Sequence, residues 1–213
     1  MTTESVNEYN QRESANLMNI VAVVYGVALT TALSLRPDVL LHPLSRSNTI
    51  ASLALLSAGL LTALSFFSYV LVIGGDTPYR IAWNLGSSGA TSVIRFLADL
   101  LLAVLYVRLL FAATGVGTGP APDLAGFVFA FIPVFIGAIV VRLLRQQRMH
   151  WTALIALVAL GLWALARSHT ATRGFDLILG ITVLAGVALY GALNHSLGYR
   201  AWKRSHPTPA ASH

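Results

Sequence analysis

Cysteine is absent from the 213 residues. That excludes disulfides, thiolate metal sites and cysteine nucleophiles. Charge is also scarce, at 10% of residues, against about 25% in a soluble domain. So few charges cannot coat a soluble globule of this size, and lipid must cover much of the surface. Lysine occurs once, as Lys203 near the end of the chain, so no apolar run can hold a retinal Schiff base. The chain has no H-E-x-x-H, no G-x-x-x-x-G-K and no TVGYG-like filter. His42, His150 and His169 fall at loop positions, so a bis-histidine haem has no pair of buried ligands. Neither a metal nor a cofactor is expected.

What remains is apolar. Hydrophobic residues make up 56% of the chain and the mean hydropathy is +0.71. A membrane-crossing helix needs about 20 mostly apolar residues. Six such segments are legible: 17–35, 49–73, 92–113, 124–144, 151–166 and 175–197. Arg36-Pro37-Asp38, the Gly74 to Pro78 stretch and the Gly/Pro alternation from Gly115 to Pro122 separate the first four. The fifth segment is the shortest. The pattern predicts an all-α integral membrane protein, a bundle of six transmembrane helices over 17–199. A polar segment (1–16) precedes it, and a basic, disordered tail (200–213) follows. The opening residues carry Glu4, Glu8, Arg12 and Glu13, unlike a signal peptide, which starts basic and turns apolar early. The first apolar segment is therefore expected to stay as a helix.

The net charge is +6. Where the arginines fall, this reads as basic loops facing anionic headgroups rather than a nucleic-acid surface. With six spans, one side holds Arg12, Arg80, Arg142, Arg145, Arg148, Arg200, Lys203 and Arg204. The other holds Arg36, Arg46, Arg167 and Arg173. By the positive-inside rule, both termini are cytoplasmic, in a plasma or inner membrane. A bundle this small is expected to form a homo-oligomer.

The third segment carries the most chemistry. Ser92, Arg95, Asp99 and Tyr106 recur at spacings of three, four and seven, which places them on one helical face. Arg108 projects from nearly the opposite side. A charge at the membrane centre costs roughly 2.5–3.5 kcal/mol on insertion scales, so this stripe must face protein or water. It either lines or gates an ion or substrate pathway, or forms an Arg95–Asp99 pair that only holds helices together. A second cluster, Tyr190, Asn194, His195 and Tyr199, closes the sixth segment. His195 is a candidate proton shuttle and Tyr199 a candidate interfacial anchor. The small-residue pairs Ala28/Ala32, Ala54/Ala58 and Thr182/Gly186 are spaced for close helix contact. Pro133 should bend the fourth helix.

Gly86-Ser87-Ser88-Gly89 spells G-x-S-G just before the third segment. The string resembles the nucleophile motif of rhomboid intramembrane proteases, which also have six helices and a histidine partner. The resemblance implies Ser88 as nucleophile with His195 as its partner. It covers four residues and one histidine. In that family the motif precedes the fourth helix and opens from the outer side. The same string also serves as a flexible loop with Ser88 near a helix N-cap, and no enzymatic activity is expected.

The sequence therefore points first to a channel or small transporter, with Ser92, Arg95, Asp99, Tyr106, Asn194 and His195 on the route. The alternative is a non-transporting sensor, anchor or subunit, which would dock a cytoplasmic partner through Arg142, Arg145 and Arg148.

Overall fold

The computed structural model describes residues 3–45, 47–71, 87–118, 123–145, 150–168 and 172–205. Among these, all regular structure is helical. The helices are α1 (Thr3–Leu35), α2 (Pro37–Leu41), α3 (Thr49–Leu71), α4 (Ser87–Gly115), α5 (Leu124–Leu144), α6 (His150–Ser168) and α7 (Arg173–Ser205). Helix is the expected outcome for apolar runs in lipid, because it satisfies every backbone N–H and C=O within the segment.

Five helices contain stretches long and apolar enough to cross a membrane: Ala15–Leu35, Thr49–Val70, Thr91–Gly115, Leu124–Leu144 and Arg173–Leu193. The apolar part of α6, Thr152–Ser168, is shorter. The chain is a multi-pass helical membrane protein. Its outer surface suits lipid: Val23, Val27, Leu101, Leu157, Ile178 and Leu189 are each at least half exposed.

Two boundaries differ from the hydropathy reading. The polar opening segment is helical from Thr3, continuous with the first span. At the other end α7 runs on to Ser205 through residues expected in the tail, and 206–213 lie outside the described residues. The break at Arg36-Pro37-Asp38 holds one more element. Pro37 opens the short α2, at the first helical turn where its missing N–H costs nothing.

We call the end of the bundle where the α1 span begins the near end, and the opposite end the far end. α4 lies centrally, packed against α1, α3 and α5, while α6 packs on α5 and α7 on α3. α1 and α4 run parallel. Tyr25 meets Tyr106 at 5.7 Å between ring centroids, and Arg36 meets the carbonyls at the α4 C-terminus. α6 runs antiparallel to α5, with Trp163 against Phe129 at 5.3 Å. α3 and α7 run parallel and in register. A Cβ on Gly180 would lie 3.1 Å from Leu53 Cδ1, and one on Gly191 would collide with Leu64. These two glycines are eleven residues, three turns, apart, so both lie on one face of α7.

Ala28, Ala32, Ala54 and Ala58 are all buried, as their spacing predicts. Thr182 and Gly186 are not part of a helix contact. Both are exposed, and a Cβ on Gly186 would meet nothing within 4 Å. The close-packed face of α7 is the one bearing Gly180 and Gly191. α5 is continuous through Pro133. Asp123 caps its start by accepting a 2.8 Å hydrogen bond from the Gly126 N–H. One face of α5 carries a ladder of Phe127, Phe131 and Phe135, which ends edge-on against Tyr190 of α7.

Candidate functional site

Helical rise sets the depth of each group along α4. The twenty residues from Arg95 to Gly115 cover about 30 Å, roughly the thickness of the hydrocarbon core. With Gly115 at the far boundary, Arg95 reaches the near one. Tyr106 then sits close to the middle and Asp99 between the two.

Ser92, Asp99 and Tyr106 are buried, and Arg95 is half-buried. The stripe therefore faces protein, and Arg108 is exposed on the other side. The partner of Asp99 was not apparent in the sequence. Its carboxylate accepts a hydrogen bond from Nη2 of Arg145, just past the end of α5. The side chains of Arg145 and Asp99 are only 6% and 3% exposed, so this is an ion pair taken out of water. The Arg95 Nε donates instead to the Leu144 carbonyl at 3.1 Å. That carbonyl is one of the four at a helix C-terminus that lack an intrahelical donor. Neighbouring positions on α4 thus hold the end of α5 in two ways, a charge pair from Asp99 and a backbone cap from Arg95.

Arg142, one turn before Arg145, donates to the Tyr190 hydroxyl at 3.3 Å. This joins α7 to the same cluster. Deeper in the bundle, the hydroxyls of Tyr25 and Ser65 lie 3.4 Å apart. The rings of Tyr25, Phe66 and Tyr106 pack around them. Polar groups from α1, α3, α4, α5 and α7 therefore occupy the interior from the membrane middle to the near end.

Asn194 and His195 lie on α7, but their side chains fall outside the described residues, as does that of Tyr199. The same holds for the side chain of Ser88, in the first turn of α4, so the Ser88–His195 pairing has no geometry here. Arg148 also lies outside the described residues. Arg145 is turned into the bundle and Arg142 is half-buried, so two of the three arginines expected to form a docking face are engaged internally. No group of three or more metal-ligating side chains occurs among the described residues.

At the far end, Arg36 was counted in the sequence only as a loop charge. It is 8% exposed and engages all three guanidinium nitrogens. Nε and Nη2 donate to the two carboxylate oxygens of Asp38, both at 3.1 Å, and Nη1 donates to the carbonyls of Thr114 and Val116 at 2.9 and 2.8 Å. The hydrogen bond from Arg36 holds the Asp38 carboxyl below its ordinary pKa. The positive charge also suits the negative end of the α4 dipole.

Compared with family models, characterised proteins and solved structures, the chain finds no match.

Proposed function

We propose that this chain is a membrane transport protein, a channel or small carrier, in which Asp99 and Arg145 close the near end of a polar route through the bundle. The carrying observation is the Asp99–Arg145 pair, an ionised couple within the membrane-embedded part of the bundle. Intramembrane ionisable residues are costly and mark ion and proton routes by default. The hydroxyls of Tyr25, Ser65 and Tyr106 continue that polarity towards the middle. In the described conformation Arg145 occupies the carboxylate, so the route is shut. A proton or cation that takes the place of Arg145 at Asp99 supplies the compensation needed to open it. The sequence alone offers Asn194 and His195, on α7, as further residues of such a route.

In this reading α6 crosses the membrane as well, giving six spans. Its 19 residues reach about 28 Å, and it runs antiparallel to α5. The eight-to-four bias in basic residues supports a cytoplasmic near end and cytoplasmic termini. The membrane is the cell's plasma or inner membrane, the assembly is a homo-oligomer, and the chain catalyses no reaction.

The test is flux of H⁺, K⁺, Na⁺ and Cl⁻ from liposomes containing the purified protein, compared with Asp99→Asn. The expected result is selective flux whose pH dependence shifts in the variant. Unchanged flux from a well-folded Asp99→Asn protein would remove Asp99 from the mechanism.

A second reading draws on the same pair. An acid fully matched by an arginine, in a packed interior, also suits a static clamp in a non-transporting sensor or subunit. Absence of flux from well-folded wild type across pH and voltage would favour it.

A further inference from the structure

Arg95, Arg142 and Arg145 converge at the near end around Asp99. Among the described side chains this cluster holds three guanidiniums and one carboxylate. Arg145 is spent on Asp99, and Arg142 reaches Tyr190. Arg95 uses only its Nε, on the Leu144 carbonyl, and among the described residues neither of its Nη groups makes a bond. The C-terminus of α5 supplies a partial negative charge of about half a unit. Arg95 is therefore a half-buried guanidinium with no carboxylate on it among the described side chains.

Depth identifies what can balance it. Arg95 lies about 30 Å from the far end of α4, and Arg145 about as far from the start of α5. Both therefore stand at the boundary where lipid headgroups begin. The planar guanidinium fork matches phosphate oxygens in pairs. Basic pockets between membrane helices take up anionic headgroups on the cytoplasmic side.

We propose that the junction of the N-terminal part of α4 with the C-terminal end of α5 binds the phosphate of an anionic phospholipid, with Arg95 as the direct contact. The bound phosphate bridges two helices that Arg95 already ties together, so the lipid acts as part of the near-end clamp. This inference does not depend on transport and holds equally for a static membrane component.

The full-length protein is equilibrated in mixed micelles holding equal parts of phosphatidylglycerol and phosphatidylcholine, and retained lipid is counted by native mass spectrometry. Wild type is expected to retain phosphatidylglycerol in several-fold preference. Arg95→Gln should lose most of that preference, and Arg95→Lys should keep part of it. In a parallel melting experiment, phosphatidylglycerol should raise the Tm of wild type and inorganic phosphate should not. Equal retention of the two lipids by wild type overturns the proposal without recourse to any variant. A Tm rise with inorganic phosphate as large as that with the lipid overturns the lipid assignment in favour of a soluble anion. Retention unaltered in a folded Arg95→Gln protein overturns the role of Arg95.

Discussion

The carboxylate of Asp99 is held by Arg145, a residue 46 positions further along the chain and on a different helix. Removing one member of a buried pair takes from the other its counter-charge, at a cost of about 3–5 kcal/mol. Arg145→Gln and Asp99→Asn should each lower the Tm in detergent. The double variant should recover much of that loss, because neither charge is then stranded. Losses that simply add in the double variant would show that the two side chains do not depend on each other.

Arg36 should tolerate no substitute. Lysine keeps the charge but lacks the fork that serves a carboxylate and two carbonyls at once. Hydrogen bonds to charged groups contribute about 1.5–3 kcal/mol, so Arg36→Lys should be destabilised nearly as much as Arg36→Gln. A melting curve for Arg36→Lys that overlays wild type would refute the shared-fork account.

The same contact predicts an acid dependence. The folded pKa of Asp38 is lowered, so its contribution is complete above the ordinary value of 3.8 and is lost as pH falls through the folded value. Wild-type stability should decline in that acid range. Asp38→Asn should begin less stable at neutral pH and show a shallower decline. Identical slopes for the two proteins would detach Asp38 from the effect.

Two glycines of α7 should answer differently. Gly180→Val presses on Leu53, whose Cδ1 and Cβ would already stand 3.1 and 3.3 Å from a new Cβ. Overpacking of this kind costs about 1–3 kcal/mol. Gly186→Ala meets nothing within 4 Å and should be neutral or slightly stabilising, because alanine favours helix over glycine. Equal effects at both positions would contradict the parallel packing of α3 and α7.

Thr152 offers a gain. Its side chain is fully buried and, among the described residues, its hydroxyl has no hydrogen-bond partner. A buried unsatisfied hydroxyl costs about 1–3 kcal/mol. Thr152→Val preserves the shape, removes the hydroxyl and should raise the Tm. A lower Tm would show that the hydroxyl is satisfied in the folded protein.

Hydropathy made most of the scaffold legible, because lipid imposes a single rule over a long run of residues. The run at 124–144 matches α5 residue for residue. The same rule is blind where helices leave the hydrocarbon, so the polar start of α1 and the basic end of α7 were not read as helix. The inward face of α4 was also legible, since spacing alone puts Ser92, Asp99 and Tyr106 together. The pairing was not. Arg95 is the nearest cation to Asp99 in sequence, and nothing in local spacing reveals that the end of α5 delivers Arg145 to the carboxylate. Arg36 and Arg145 both entered the topology count as loop charges, yet the side chain of each is withdrawn into an ion pair. Composition likewise could not separate Gly186, which faces outward, from Gly180 and Gly191, which receive leucines.

α4 is fastened at two levels by arginines that lie outside it, Arg36 at its C-terminal end and Arg145 at Asp99, about three turns in from its start. A piston stroke of α4 along its own axis would carry Thr114 and Val116 away from Arg36, or Asp99 away from Arg145, whichever way it moved. Rotation about that axis would swing Asp99 and the terminal carbonyls out of reach together. Against both movements α4 is held as a fixed mast within the bundle.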